Sequence, residues 1–210
     1  MKRLLTALFC GAAATLPLSG CAVHQEDMQG ALDAYYSAGD IRTAAVLPAA
    51  NGSKAAEYMP RVNLALLSGL QRANPGIESA GASVSAAKLS RLGLYADAAE
   101  LVKAYFACGS ADCELDRAEL KRIRSALKAD AVYVMSFTEL HEKEGAFLRE
   151  RGEARVQTKL AVIDLRTGRT VWTGSTMEEH ASSIFGIPKP SLADPMEETI
   201  RKIERMAPAL

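Results

Sequence analysis

Four cysteines are the residues of this chain whose chemistry depends most on where they lie. A thiol can be alkylated, oxidised to a disulfide or used as a metal ligand. Cys108 and Cys113 stand in "CGSADCELD", where they could close a small disulfide loop, stay free or form half of a zinc site. Zinc is the least favoured of the three because no second cysteine pair follows. The histidines that could complete such a site are scattered, at His24, His141 and His180.

A second group that could do chemistry is the acidic cluster around position 140. Its members are Glu139, His141, Glu142 and Glu144. In a strand, residues 139 and 141 share one face, so they could converge on a metal or act as acid and base. The alternative, a solvated hairpin rim, is favoured because no third ligand accompanies them.

Nucleophile and phosphate motifs are also missing from the sequence. Ser136 and the pair Ser182-Ser183 stand outside any G-x-S-x-G context, and neither GxGxxG nor a P-loop occurs. We therefore expect no catalytic residues, no metal and no cofactor, and we expect that the protein is not an enzyme.

The N-terminus is built as a secretory signal. Lys2 and Arg3 precede an apolar run from Leu4 to Leu16, which Pro17 ends. That run is too short for a membrane span, which needs about 20 residues. The sequence therefore predicts a signal peptide over residues 1–20.

Leu18-Ser19-Gly20-Cys21 resembles the lipobox of bacterial lipoproteins. The resemblance implies that Cys21 receives diacylglycerol, that cleavage precedes it and that fatty acids such as palmitate anchor the chain durably. The alternative is an ordinary signal peptide with a coincidental cysteine. Ala22 is not the aspartate associated with inner-membrane retention, so the expected location is the outer membrane, facing the periplasm. An oxidising periplasm favours pairing of Cys108 with Cys113 over free thiols.

Composition bounds what the processed chain could be. Removing residues 1–20 leaves 190 residues with 23 basic and 25 acidic side chains, which offers no electrostatic footprint for nucleic acid. This length suits one domain, at 41–206, preceded by a lipidated tether at 21–40 that contains a helix-prone patch, "MQGALDAYYS".

Hydrophobic periodicity predicts the elements of that domain. A strand within 41–50 is followed by a helix carrying Val62, Leu66, Leu67 and Leu70, and then by a short strand and loop over 77–89. Helices follow between 90 and 127. The second is capped by Asp116 and has a face formed by Leu120, Ile123, Arg124 and Leu127.

The pattern then changes to strands, at 129–140, 153–165 and 170–179, which form an antiparallel meander. An amphipathic helix over 194–206, with Asp194 as its cap and Pro195 at its first position, ends the domain. Together these elements predict a single-domain α/β sandwich, in which a mixed sheet packs against helices.

The strand segments also carry a family resemblance. "AVLPA", "ADAVYVMSF" and "LAVIDLRTGRTVWTGS" resemble the CsgG-like, TolB-N-terminal-like and GNA1162-like periplasmic lipoproteins over roughly residues 41–180. The most distinctive part is the D-x-x-T-G-x-x-x-W spacing, which predicts a hairpin and packing motif. Its residues are Asp164, Thr167, Gly168 and Trp172. The resemblance implies binding or assembly at the outer membrane, although the segments at 137–148 and 180–192 do not suit a pore.

Two functions stay open from the sequence. The first is a non-enzymatic lipoprotein that docks on or assembles an envelope machine for export, secretion or cell-wall synthesis, with an envelope protein or further copies of itself as partners. The second is a periplasmic protein, enzymatic or not, that handles a small ligand or a polysaccharide, which would need a deep pocket. Trp172 could be an exposed binding anchor, but burial between sheet and helix is favoured.

Overall fold

The structure, a computed structural model, describes residues 23–33, 36, 40–50, 52–108, 115–145, 150–182 and 190–210. Within these residues six strands form one sheet. They are β1 (Val23–Leu32), β2 (Thr43–Val46), β3 (Glu78–Ala80), β4 (Ala131–Lys143), β5 (Glu153–Asp164) and β6 (Thr170–Ala181).

Five α-helices accompany the sheet in the described part of the chain. They are α1 (Met59–Ala73), α2 (Ala82–Arg91), α3 (Tyr95–Cys108), α4 (Arg117–Leu127) and α5 (Ala193–Met206). A short 3₁₀ helix, Ser53–Tyr58, leads into α1.

The sheet is mixed and open, with the strand order β1-β6-β5-β4-β2-β3. The pairs β1–β6, β6–β5 and β5–β4 are antiparallel, whereas β2 lies parallel to both β4 and β3. The predicted meander is therefore β4-β5-β6, and the predicted α/β sandwich with a mixed sheet is confirmed.

Helices cover the two faces of the sheet and enclose a core on each side. Leu66 of α1 and Ile203 of α5 pack with Tyr133 of β4 on one face. Leu101 of α3 and Ile123 of α4 pack with the other face. Burying each such aliphatic side chain contributes about 1.5–3 kcal/mol, which holds the helices against the strands.

The N-terminal strand differs from the sequence-based expectation. Segment 21–40 was expected to be a tether with a helix-prone patch, and the helix is wrong because Val23–Leu32 form β1. The strand pairs with β6 along its whole length, from Val23 opposite Ala181 to Leu32 opposite Trp172. The limits at residues 20 and 40 stay predictions.

Three local expectations also need correction. Residues 82–89, for which a loop was expected, belong to α2, because Ser85 and Leu89 are buried at helical spacing. Asp194 lies inside the first turn of α5 and makes no capping bond, since the N-cap is Leu192. Arg124, which was placed on the apolar face of α4, is exposed.

Candidate functional site

The helix α4 (Arg117–Leu127) presents a surface that is rich in cations. Its buried face is formed by Leu120, Ile123 and Leu127. As predicted, Asp116 caps it: the carboxylate accepts hydrogen bonds from the backbone N–H groups of Ala118 (2.7 Å) and Glu119 (3.4 Å). The helix is thus held by its cap and its apolar face, which leaves the other side chains free for contact with solvent or a partner.

Those outward side chains are mostly cationic. Five exposed cations lie between positions 116 and 128, against two carboxylates, in a chain whose formal net charge is zero. The five are Arg117, Lys121, Arg122, Arg124 and Lys128. Arg122 pairs with Asp97 of α3 (3.1 Å) and Arg124 with Asp130 (3.3 Å), so part of the charge is already neutralised.

A basic groove of about 370 Å³ lies beside the C-terminal half of α4. Lys121, Arg124 and Lys128 line it, together with Asp130. Lys128 sits at the helix end with a φ of 54°, a left-handed conformation that non-glycine residues adopt rarely. The groove therefore combines three cations with a single carboxylate.

Asp130 is a structural part of this groove. Its carboxylate accepts hydrogen bonds from the backbone N–H of Arg42 (3.2 Å) and from the N–H and hydroxyl of Thr43 (3.3 and 3.1 Å). Burial alone would raise the pKa of Asp130, but these bonds and the one from Arg124 outweigh burial and lower the pKa. Asp130 thus stays ionised and ties the start of β2 to Arg124.

A second groove, of about 580 Å³, lies on the other side of α4 and is largely apolar. Leu92, Leu94, Ala118 and Ala126 line it, and Lys121, Arg122 and Ser125 form its rim. The turn between α2 and α3 shapes this groove, since Gly93 adopts a φ of +69° that favours glycine.

Two large apolar side chains are exposed at that turn. Leu92 is 58% exposed and Tyr95, at the start of α3, is 43% exposed. Apolar surface beside cations is typical of interfaces, where an anchor residue enters an apolar groove and acidic groups meet the rim. We call the arrangement around α4 the α4 surface (Leu92, Leu94, Tyr95, Lys121, Arg122, Ser125 and Lys128), in which exposed apolar side chains lie beside cations.

The predicted hairpin motif lies in the turn between β5 and β6. The Asp164 carboxylate accepts hydrogen bonds from the Arg166 backbone N–H (2.7 Å) and guanidinium (2.8 and 3.0 Å). Gly168, with a φ of +75°, donates its N–H to the Asp164 carbonyl (2.8 Å), and the Arg169 N–H donates to the Thr167 hydroxyl (3.2 Å). These hydrogen bonds stabilise the turn. They engage the Asp164 carboxylate and the Thr167 hydroxyl, so neither group is free to react.

Trp172, the last residue of that motif, packs in the core at 5% exposure. Its ring meets that of Tyr133 edge-on, with centroids 5.9 Å apart. Gly174 on the same strand faces the indole closely, because a Cβ there would lie 2.6 Å from Trp172 Cζ2. Gly30, opposite Gly174 in β1, would bring a Cβ to 3.3 Å from the same atom. Trp172 is therefore a buried packing residue rather than an exposed anchor, and the absence of side chains at Gly30 and Gly174 leaves room for its indole.

The acidic cluster is dispersed in the structure. Glu139 lies 3.4 Å from Arg155, which also pairs with Glu153 (2.9 Å) and Glu179 (2.8 Å), so these carboxylates surround a cation. His141 stands opposite Arg155 across the β4–β5 pair. Among the residues described, no group of three or more potential ligands could hold a metal ion.

The other candidate residues lie apart from α4 or outside the described residues. The Ser182 hydroxyl accepts a hydrogen bond from the Gly152 N–H (2.9 Å), and Ser136 is buried. Cys108 is exposed at the end of α3. Cys21, Cys113 and Ser183 fall outside the described residues, so lipidation and the disulfide stay predictions. Within the part that is described, no helix has the length and apolar character needed to cross a membrane.

Sequence reasoning missed the α4 surface. Its cations are visible in "RAELKRIRSALK", but such a run also describes any solvated helix. The available signal was the excess of cations over carboxylates in a chain that is neutral overall. The exposure of Leu92 and Tyr95 depends on the turn at Gly93 and was not predictable from periodicity.

Comparison with known proteins gives distant similarities. No family model and no curated protein matches the chain. A PelC dodecamer from Paraburkholderia phytofirmans is 15% identical, with a TM-score of 0.45, and the match covers 89% of this chain and 100% of that chain. Lipoprotein GNA1162 from Neisseria meningitidis is 18% identical, with a TM-score of 0.46 and coverages of 77% and 94%. The hypothetical protein CT253 from Chlamydia trachomatis is 13% identical, with a TM-score of 0.34 and coverages of 67% and 72%. These similarities assign the chain no family, substrate or partner.

Proposed function

We propose that this chain is a non-enzymatic lipoprotein of the bacterial outer membrane, anchored through Cys21 and facing the periplasm, that docks on a protein of the cell envelope. The observation that carries the docking role is the α4 surface, where an apolar groove is rimmed by cations. The lipobox sequence at Leu18-Ser19-Gly20-Cys21 supports the anchor. The "ADAVYVMSF" and "DLRTGRTVW" segments support kinship with the CsgG-like and GNA1162-like lipoproteins.

The chemistry of the α4 surface selects the kind of partner. Leu92 and Leu94 offer an apolar contact, while Lys121 and Lys128 have no ion-pair partner among the described residues. A segment that carries acidic side chains beside a bulky apolar residue would satisfy both. Because the cations are exposed, the electrostatic part of this binding would weaken with salt, over a Debye length of about 8 Å at 0.15 M.

Site-specific photo-crosslinking in intact cells tests the proposal. A photoreactive residue replaces Leu92, and the products are identified by mass spectrometry. We expect an envelope protein to be captured, and we expect the capture to fall when Lys121 and Lys128 are both changed to Glu. The matched control changes Lys54 and Lys159, which lie away from α4, to Glu and should leave capture unchanged.

Two results would count against this proposal. Equal loss of capture in both double variants would show that the charge of the α4 surface has no special role. Capture of nothing but a second copy of this chain would make the surface an interface of a homo-oligomer. Cys21→Ala, which should stop palmitate incorporation and release the protein from the membrane fraction, tests the anchor separately.

Handling of a small ligand is the less favoured function. A small, partly open and mostly apolar pocket, lined in part by Leu47, Leu89 and Val102, has a volume of about 20 Å³. That volume holds about one water molecule, whereas ligand pockets occupy about 300–1,000 Å³. The larger spaces described above are open grooves on the surface of α4, which suit a protein segment better than a buried ligand.

A further inference from the structure

The first strand fixes where the lipid anchor attaches to the folded domain. β1 begins at Val23, two residues after Cys21. Because extended backbone spans at most about 3.6 Å per residue, the Cα atoms of these two residues lie within about 7 Å of each other. If Cys21 carries acyl chains in the leaflet, as the proposed function requires, the start of β1 lies at the membrane surface.

The strand register identifies which end of the sheet this is. Val23 pairs with Ala181 at the end of β6, Ala181 with Glu153 at the start of β5, and Glu153 with Lys143 at the end of β4. We call this part of the sheet the anchor end (Val23, Lys143, Glu153 and Ala181, with the adjoining residues 150–152 and 182).

Hydrogen bonds make the anchor end a connected unit. The Ser182 N–H donates to the Gly152 carbonyl (3.0 Å), and the Gly152 N–H donates to the Ser182 hydroxyl (2.9 Å). Lys143 pairs with Glu150 across the β4–β5 connection (2.8 Å). The end of β4, the start of β5 and the end of β6 therefore lie together at the end of the sheet where β1 begins.

The α4 surface lies towards the opposite end. Leu32, nine residues after Val23 in β1, pairs with Trp172, so the Cα atom of Trp172 lies about 30 Å along the sheet from the anchor at about 3.3 Å per residue. Ala131 is twelve residues from Lys143 on β4, which is about 40 Å by the same rise. The C-terminus of α4, at Leu127, is only four residues before Ala131.

We infer that the anchor end is a membrane-contact surface whose partner is the lipid leaflet, and that the α4 surface faces away from that leaflet. The charge of the headgroups is screened within about 8 Å, so it does not attract cations that lie about 30–40 Å away. The cations of α4 are therefore presented to a partner in the periplasm. The competing arrangement has the domain lying on its side, with α4 on anionic headgroups.

Tryptophan quenching by lipid distinguishes the two arrangements, because Trp172 is the only tryptophan in the chain. The lipidated protein is placed in vesicles of phosphatidylethanolamine and phosphatidylglycerol that contain a lipid with a spin-labelled headgroup. In a Trp172→Phe background, Arg151→Trp reports on the anchor end and Ser125→Trp on the α4 surface, with every α4 cation retained. We expect the label to quench Arg151→Trp strongly and to leave Ser125→Trp as bright as in label-free vesicles.

Controls separate this orientation from the anchor itself. Quenching of Ser125→Trp that equals or exceeds that of Arg151→Trp would overturn the inference while leaving the lipid anchor intact. A Gly/Ser insertion of about ten residues before Val23, with a mean span of about 17 Å, should relieve the quenching of Arg151→Trp, and unchanged quenching would also contradict the inference. Co-sedimentation of Cys21→Ala with vesicles as efficiently as wild type would instead overturn the anchor. Should the Trp172→Phe background fail to fold, wild type serves, since its own Trp172 is expected to be unquenched.

Discussion

Replacing Gly174 by alanine tests the packing of Trp172 between the sheet and α5. An added Cβ would lie 2.6 Å from Trp172 Cζ2 and 3.0 Å from Met206 Cε. The first distance is far inside van der Waals contact, so the indole or the strand must move. Overpacking of this kind costs about 1–3 kcal/mol, and we expect Gly174→Ala to lower the free energy of unfolding by that amount.

Two other glycines provide a graded comparison. A Cβ on Gly30 would lie 3.3 Å from the same indole atom, which a small shift can relieve. A Cβ on Gly76 meets nothing within 4 Å, so alanine there should be neutral or stabilise by up to about 1 kcal/mol through the unfolded chain. The expected order of destabilisation is therefore Gly174, then Gly30, then Gly76.

Thermal unfolding of a variant that lacks residues 1–21 measures this order. A loss of about 1–3 kcal/mol corresponds to a fall in Tm of about 2–12 °C for a domain of this size. The same glycine changes in a Trp172→Phe background complete a double-mutant cycle, in which the smaller ring should reduce the Gly174→Ala penalty. An equal penalty in both backgrounds, or a Gly174→Ala variant as stable as Gly76→Ala, would refute the packing argument.

Four further changes, the first compared with Asp194→Ala, have outcomes that follow from single contacts. Asp116→Ala removes the cap of α4 and should cost about 1 kcal/mol in urea unfolding, whereas Asp194→Ala, which removes no capping bond, should cost less. Tyr133→Phe deletes a buried hydroxyl that has no hydrogen-bond partner among the residues described, so stability should hold or rise by about 1 kcal/mol. Tyr105→Phe breaks a 3.0 Å hydrogen bond to Thr170 and should lower the free energy of unfolding by about 1 kcal/mol. A Tyr133→Phe variant that is less stable than Tyr105→Phe would contradict these two expectations. Burial would raise the pKa of Asp164, but the hydrogen bonds and charge of Arg166 outweigh burial and lower the pKa. Above the unfolded pKa of about 3.9, the ionised carboxylate therefore contributes its full stabilisation to the fold. That contribution is lost as the pH falls through the lower folded pKa. Asp164→Asn should therefore be less stable than wild type at neutral pH, and a urea-midpoint profile in which this gap does not narrow in acid would argue against the ion pair.

The elements that the sequence predicted are those that bury a periodic apolar face. Val62, Leu66 and Leu70 recur at helical spacing and all are buried in α1. The alternation of Val156, Thr158 and Leu160 likewise marks the buried face of β5. In both cases the local pattern and the tertiary packing impose the same period, so the sequence alone was sufficient.

The elements that were not predicted from the sequence, β1 and α2, lack a periodic apolar face. β1 has the sequence "VHQEDMQGAL", in which five of the ten residues are polar and do not alternate with apolar ones, and the structure defines it by backbone pairing with β6. Backbone hydrogen bonds carry no sequence pattern of their own. The helix α2 is similarly hidden, since "ASVSAAKLSR" consists mainly of small residues and its buried positions include Ser85.

The same reasoning explains why the charges of α4 can be tested without loss of the fold. Leu120, Ile123 and Leu127 hold this helix in the core, while Lys121 and Lys128 are exposed and make no ion pair among the described residues. Exposed charges of this kind contribute little to stability, typically within about 0.5 kcal/mol. A Lys121→Glu and Lys128→Glu variant should therefore unfold at nearly the wild-type temperature while it loses its partner. Loss of binding with unchanged unfolding would place the role of these lysines in recognition, and joint loss of both would place it in the structure of α4.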